Sequence, residues 1–281
     1  MNDSMRLVYT LLLFFTLAQF LGIFTGKIIL SDIERNPYVS GLLVTTDTED
    51  PGNALLFTAY VLLGAVISIL IIRKLELHFF LFRIIEFILI AMTSSLVFYA
   101  FLRLAFGYDI STLGGVLIGL AFATAKIFVH QLKNMAAIFA TAGVGVVFGI
   151  SMGIIPIVFF LILLSIYDFV SVFITKHMVE LADFIISKDL AFTITAQRVL
   201  PTKEVRRIDL GTGDIIAPIM MEVSLLSYAP ITAMFVMVGS VISLGTFLIL
   251  IHKNMICLPA LPPIVLGTIL GLLVGVMTGF N

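Results

Sequence analysis

Long apolar runs broken by short polar stretches dominate this chain. They fall at about 7–26, 53–72, 79–102, 108–125, 134–152, 154–174, 209–228, 231–251 and 258–279. Each is close to the roughly 20 residues with which an α-helix crosses a bilayer core. The pattern predicts an all-α polytopic membrane protein with nine transmembrane helices. Residues 1–281 read as one membrane domain: helices one to six over 1–175, a cytoplasmic loop over 176–208, and helices seven to nine over 209–281. The turns near Gly153 and Pro230 are short, so the spans they join should pack as antiparallel neighbours. No whole-chain repeat is visible.

Composition narrows the function. The chain has 281 residues, 60% of them hydrophobic and 12% charged, against about 25% charged in a soluble domain. Mean hydropathy is +1.19. These values exclude a water-soluble globule, a disordered chain and a nucleic-acid binder, and a net charge of −1 steers nothing toward a polyanion. A lone Cys257 excludes an intrachain disulfide and a multi-thiolate metal site. The first apolar run, from Leu7, is span-length with no cleavage-type site after it, so no cleavable signal is expected. With the N-terminus inside, twelve Lys and Arg residues fall on cytoplasmic segments and three (Lys27, Arg35, Arg103) outside. That asymmetry predicts a cytoplasmic N-terminus and, after nine spans, an extracytoplasmic C-terminus.

Five charged residues fall well inside the runs, away from their ends: Arg83, Glu86, Asp168, Asp214 and Glu222. Each costs several kcal/mol at the bilayer centre and needs a reason. Arg83 and Glu86, at i and i+3, read as a self-neutralised pair, with Arg83 reaching toward the interface. Glu222 reads as a structural residue near the outer end of its span. Asp168 and Asp214 have no Lys or Arg on their own helix faces within the span. Counting from Lys176 and Arg207, both lie roughly 10–12 Å below the cytoplasmic boundary, on helices running in opposite directions. Two carboxyls facing each other in a low dielectric share one proton, which suits them to general acid and base work on an amide. From depth alone, two unrelated buried acids remain an equal alternative.

The local sequences decide between these readings. Asp168 follows Tyr167 in Ser165-Ile166-Tyr167-Asp168. Asp214 closes Gly211-Thr212-Gly213-Asp214, and Pro259-Ala260-Leu261 follows within Leu258-Pro259-Ala260-Leu261-Pro262. Together they resemble the YD, GxGD and PAL motifs of the presenilin and signal-peptide-peptidase family of aspartyl intramembrane proteases, on helices six, seven and nine of nine. The resemblance implies an intramembrane aspartyl endopeptidase that hydrolyses peptide bonds within transmembrane segments, with Asp168 and Asp214 catalytic. Tyr167, Gly211, Thr212, Gly213, Pro259, Ala260 and Leu261 then line the site. Orientation and the PAL string look presenilin-like. The 176–208 segment is far shorter than in animal presenilins, which argues against autoproteolysis and accessory subunits. The chain looks most like the compact archaeal homologues, in a prokaryotic cell membrane, or an endomembrane if eukaryotic.

The motif residues also have physical readings of their own. Gly211 and Gly213 clear side chains from beside Asp214 and let the backbone approach closely. Pro259, Pro262 and Pro263 resist a regular helix, leaving irregular backbone with which an extended substrate can pair. Gly267, Gly271, Gly275 and Gly279, and Gly145, Gly149 and Gly153, are small-residue packing faces. Lys203, Arg206 and Arg207 read as a topology anchor against anionic lipid. No zinc-protease or serine-protease pattern occurs, and no metal or organic cofactor is implied. Expected partners are transmembrane-helix substrates and lipids; a homo-oligomer is compatible with the sequence. Two alternatives stand at this stage: a prepilin-type GxGD peptidase and a proton- or ion-coupled transporter using the two acids.

Overall fold

The structure, a computed structural model, describes residues 3–74, 78–174, 177–199, 205–251 and 259–279. The elements are α1 (Asp3–Asp32), the single turn α2 (Pro37–Ser40), α3 (Gly52–Lys74), α4 (His78–Leu102), α5 (Tyr108–Phe128), α6 (Lys133–Ser151) and α7 (Ile154–Phe173). Then come α8 (His177–Ser187), β1 (Thr193–Val199), β2 (Val205–Gly211), α9 (Thr212–Leu225), α10 (Pro230–Ile251) and α11 (Leu261–Thr278). Among the described residues eight helices are long and apolar enough to cross a membrane. α9 is not one of them: it has 14 residues, because the segment predicted to begin the seventh span at 209 is strand as far as Gly211.

α9 is the hub of the bundle. It packs against α1, α6, α7, α10 and α11, and residues 217–225 along it are all buried. Small residues make this possible. A Cβ at Gly22 or Gly145 would collide with Ile219, and one at Gly26 or Gly149 with Val223. The α11 glycines Gly267, Gly271 and Gly275 seat that helix on α10, against Gly239, Phe235 and Thr232. Gly153 instead meets the Glu49 side chain, and Gly279 ends α11 in the left-handed conformation at φ 67°. One expectation fails here. α6 and α7, joined at Gly153, make little contact with each other, because α9 packs against both. α9 and α10, joined at Pro230, do pack together.

The stretch expected to be a plain loop is structured. α8 closes on Asp189 at φ 52°, with the Leu190 N–H donating to the Ile185 carbonyl at 3.1 Å and the Asp189 N–H to that of Ile186 at 3.3 Å. This is a helix-ending motif that glycine usually fills. β1 and β2 then pair antiparallel, from Thr193 opposite Gly211 to Val199 opposite Val205. Ile194, Ala196 and Leu210 are buried on a hairpin that packs against α1, with β1 also against α6. The alternation that buries them has period two and spans only seven residues per strand, so it is invisible to a search for long apolar runs.

One edge of the hairpin is closed by a side chain. Thr195 N–H donates to Asn134 Oδ1 at 3.0 Å, and Asn134 Nδ2 donates to the Thr195 carbonyl at 2.8 Å. The amide thus imitates a neighbouring strand. Thr195 therefore turns its backbone away from β2, and antiparallel pairing turns the N–H and C=O of Asp209 and Arg207 outward on the opposite edge. The same parity appears where the Thr212 N–H donates to the Phe192 carbonyl at 3.1 Å.

The membrane charges also depart from expectation in two places. Glu86 pairs with Arg83 at 2.9 Å as read, but Lys126, which directly follows the apolar run 108–125, is buried and also pairs with Glu86. Glu222 is fully buried, and neither carboxyl oxygen has a hydrogen-bond partner among the described residues. At the far end of α1, Arg103 donates to both Asp32 oxygens at 2.6 and 3.1 Å, and the Tyr99 hydroxyl adds a bond at 2.7 Å. Cys257, Leu258, Lys203, Lys176, His252 and Lys253 lie outside the described residues.

Candidate active site

α9 begins in a way its sequence dictates. Gly211 is the N-cap, with Thr212, Gly213 and Asp214 forming the first helical turn. The Gly211 N–H donates toward the Asp214 carboxylate. An acid at the third helical position reaching back to the N-cap N–H is one half of a capping box. The missing side chain at the cap matters, because a Cβ on Gly211 would stand 3.3 Å from Asp214 Oδ2. A Cβ on Gly213, which is exposed, would meet nothing within 4 Å, so the first turn of α9 is open on that side. Thr212 fixes the turn: its hydroxyl donates to the Phe192 carbonyl at 3.1 Å, the acceptor that also takes its N–H.

The start of α11 is equally specific. Ala260 is the N-cap and provides no side-chain cap. Pro262 and Pro263 have no N–H to offer, and the Ile264 N–H already bonds the Ala260 carbonyl at 3.3 Å. Leu261 is thus left with the free donor of the first turn. Its N–H donates toward the carboxylate of Asp168 on α7. The start of α11 thus faces a carboxylate on a neighbouring helix. Asp168 Oδ2 is buried and has no hydrogen-bond partner among the described residues.

The two acids, carried by separate helices, lie within electrostatic reach of each other. Both are partly buried, and Tyr167, half-buried beside Asp168, lies within the same field. Pro259 is buried and Ala260 partly so, neither in regular secondary structure. The nine residues singled out from sequence therefore fall at two helix starts and one helix face that meet at the acids. Pro218 was not singled out. It lies inside α9, four residues after Asp214, and removes the N–H that would otherwise occupy the Asp214 carbonyl. Its signal was available: a proline within an apolar run, one turn beyond an acid. On β2, Arg207 donates to Asp209 at 2.6 and 2.8 Å, and this bond holds the guanidinium above its ordinary pKa. No group of three or more His, Cys, Asp or Glu that could hold a metal forms among the described residues.

The family model described as signal-peptide peptidase, presenilin aspartyl protease matches residues 28–280. The chain belongs to that family. It is an integral membrane protein and an intramembrane aspartyl protease, a hydrolase acting on transmembrane proteins. Two solved structures resemble it. One is described as a presenilin family intramembrane aspartate protease in space group C222: TM-score 0.69, 24% identity, 96% of this chain and 99% of that one covered. The other has the same description in space group P2: TM-score 0.63, 25% identity, 93% and 96% covered. No curated protein matches.

Proposed function

We propose that Asp168 and Asp214 are the catalytic pair and share one proton. The observation that carries this is their meeting within electrostatic reach, each with one main-chain N–H already directed at it. The ionised acid takes a proton from a water molecule, whose oxygen attacks the scissile carbonyl carbon. The protonated acid gives its proton to the carbonyl oxygen. As the tetrahedral diol collapses, the acid that took the water proton gives it to the nitrogen, the C–N bond breaks, and the other carboxylate takes a diol hydroxyl proton as the new C=O forms. One carboxyl and one amine form, and the pair again holds a single proton.

A transmembrane helix hides its amides and must open before it is cut, at a cost of several kcal/mol per unpaired group in lipid. The outward N–H and C=O groups of Arg207 and Asp209 on β2 offset that cost by pairing with the opened substrate as an added strand. This edge suits the role better than the backbone near Pro259, where the Leu261 N–H is already engaged by Asp168.

The chain crosses the membrane nine times, with a cytoplasmic N-terminus and extracytoplasmic C-terminus. The 14 residues of α9 span roughly 21 Å, and the last three residues of β2 add roughly 10 Å. Their sum is close to a hydrocarbon core of about 30 Å, and strand at that depth is tolerated where protein covers it. The substrates are single-span proteins or their remnants. The short segment between the acids supports a compact enzyme of a prokaryotic cell membrane that acts without accessory subunits.

Purified protein in detergent with a single-span reporter tests the reading. Wild type should cut the reporter. Asp168→Ala and Asp214→Ala should each abolish cutting while keeping wild-type thermal unfolding. Cleavage that persists in either variant removes the pair from the chemistry.

A further inference from the structure

Glu86 lies on α4, far from the motifs, and is buried. It accepts from three directions. Arg83 Nη1 donates to Oε2 at 2.9 Å, Lys126 Nζ of α5 donates to Oε1, and the main-chain N–H of Ala191 donates to Oε1 at 2.5 Å. Arg83 also donates to the Lys188 carbonyl at 3.2 Å. The α4–α5 pair thus grips the link between α8 and β1 at two points.

The grip leads to the site in one step. Phe192, the residue after Ala191, offers the carbonyl that receives both the N–H and the hydroxyl of Thr212 at 3.1 Å. Thr212 is two residues before Asp214, in the turn that sets its carboxyl. Glu86 holds Ala191, Phe192 holds Thr212, and Thr212 opens the turn of Asp214. A buried ion pair is a weak source of stability, since desolvation offsets much of its attraction. A carboxylate that takes a main-chain N–H as well as two cations has a more specific use.

From this relay we infer that Glu86 is a positioning residue for Asp214: its carboxylate fixes the 188–192 link, which sets the GxGD turn. The inference rests on Asp214 being catalytic. Displacement by about 1 Å of a reacting group costs up to roughly a hundredfold in rate, so loss of the grip should appear in kcat.

The test compares variants of the full chain against a single-span reporter, with Asp214→Ala as the dead control. Glu86→Leu with Lys126→Met removes the acceptor and leaves no unpaired buried lysine. Glu86→Gln with Lys126→Met removes the same charges but keeps an acceptor for Ala191. Glu86→Asp keeps the charge and draws the acceptor back by one methylene. We expect kcat to fall about 10- to 100-fold in the Leu/Met variant with KM within about threefold. The Gln/Met variant should recover about tenfold of that loss, and Glu86→Asp should fall about tenfold. Amide exchange at Thr212 should quicken in the Leu/Met variant and not in Asp214→Ala. Equal kcat in the Leu/Met and Gln/Met variants, or a change confined to thermal stability, would overturn the inference. If the Leu/Met variant does not fold, wild-type kcat in Glu86→Asp overturns it alone. A fully active Asp214→Ala control would instead remove the catalytic reading beneath it.

Discussion

The main-chain N–H of Leu261, at the start of α11, is directed at the carboxylate of Asp168 on α7. Asparagine in place of this aspartate keeps an oxygen for that N–H but cannot give up a proton. We expect Asp168→Asn to unfold within a few degrees of wild type and to lose reporter cleavage by about a thousandfold or more. Thermal unfolding and single-turnover cleavage measured together check this. Substantial cleavage by the asparagine variant would mean that geometry, not ionisation, carries the role of Asp168.

Two glycines should behave in opposite ways. Gly149 is pressed against Val223 and the Met220 carbonyl, whereas a Cβ on Gly213 enters open space. Gly149→Ala should destabilise by about 1–3 kcal/mol through overpacking of α6 on α9. Gly213→Ala should leave unfolding unchanged and lower kcat/KM, because the added methyl stiffens and crowds the open turn that carries Asp214. Unfolding titrations in mixed micelles separate the two, and a destabilised Gly213→Ala would contradict the open geometry.

Glu222 is a buried carboxyl without a hydrogen-bond partner among the described residues. Leucine there removes a desolvated polar group and keeps much of the volume. Glu222→Leu should stabilise the protein by about 1–3 kcal/mol and leave reporter cleavage within about twofold. A lower melting temperature in Glu222→Leu would show that the carboxyl has a stabilising use.

Asn134 closes the outer edge of β1. Asn134→Ala leaves the Thr195 N–H and C=O without their partner, at a cost of about 1–3 kcal/mol. The Thr195 amide should then exchange with deuterium faster, and the amides of Ile194 and Ala196 much less so. Uniform acceleration along β1 would instead mean that the whole hairpin had come loose.

The long helices were legible because hydrocarbon demands length and apolarity together, and eight of the nine expected spans have both. The two acids stood out because a carboxyl within an apolar run is conspicuous, and the neighbouring motifs set Asp168 and Asp214 apart from Glu222. What escaped was everything carried by short or polar sequence. The 7-residue strands and 11-residue α8 bury too few side chains to stand out from a polar stretch. Lys126 sits at the end of an apolar run, where lysine usually marks the interface. Only the approach of α5 to α4 turns it inward onto Glu86. The separation of α6 from α7 was equally hidden, because a tight turn at Gly153 says nothing of a third helix between them.

The contact between Leu261 and Asp168 also bears on biosynthesis. The ribosome makes the chain from its N-terminus, and segments fold roughly in that order. Asp168 on α7 is made well before Leu261 at the start of α11. Until then the Asp168 carboxylate has no Leu261 N–H directed at it. On the proposal that Asp168 and Asp214 do the chemistry, cleavage waits until α11 has been inserted beside α7.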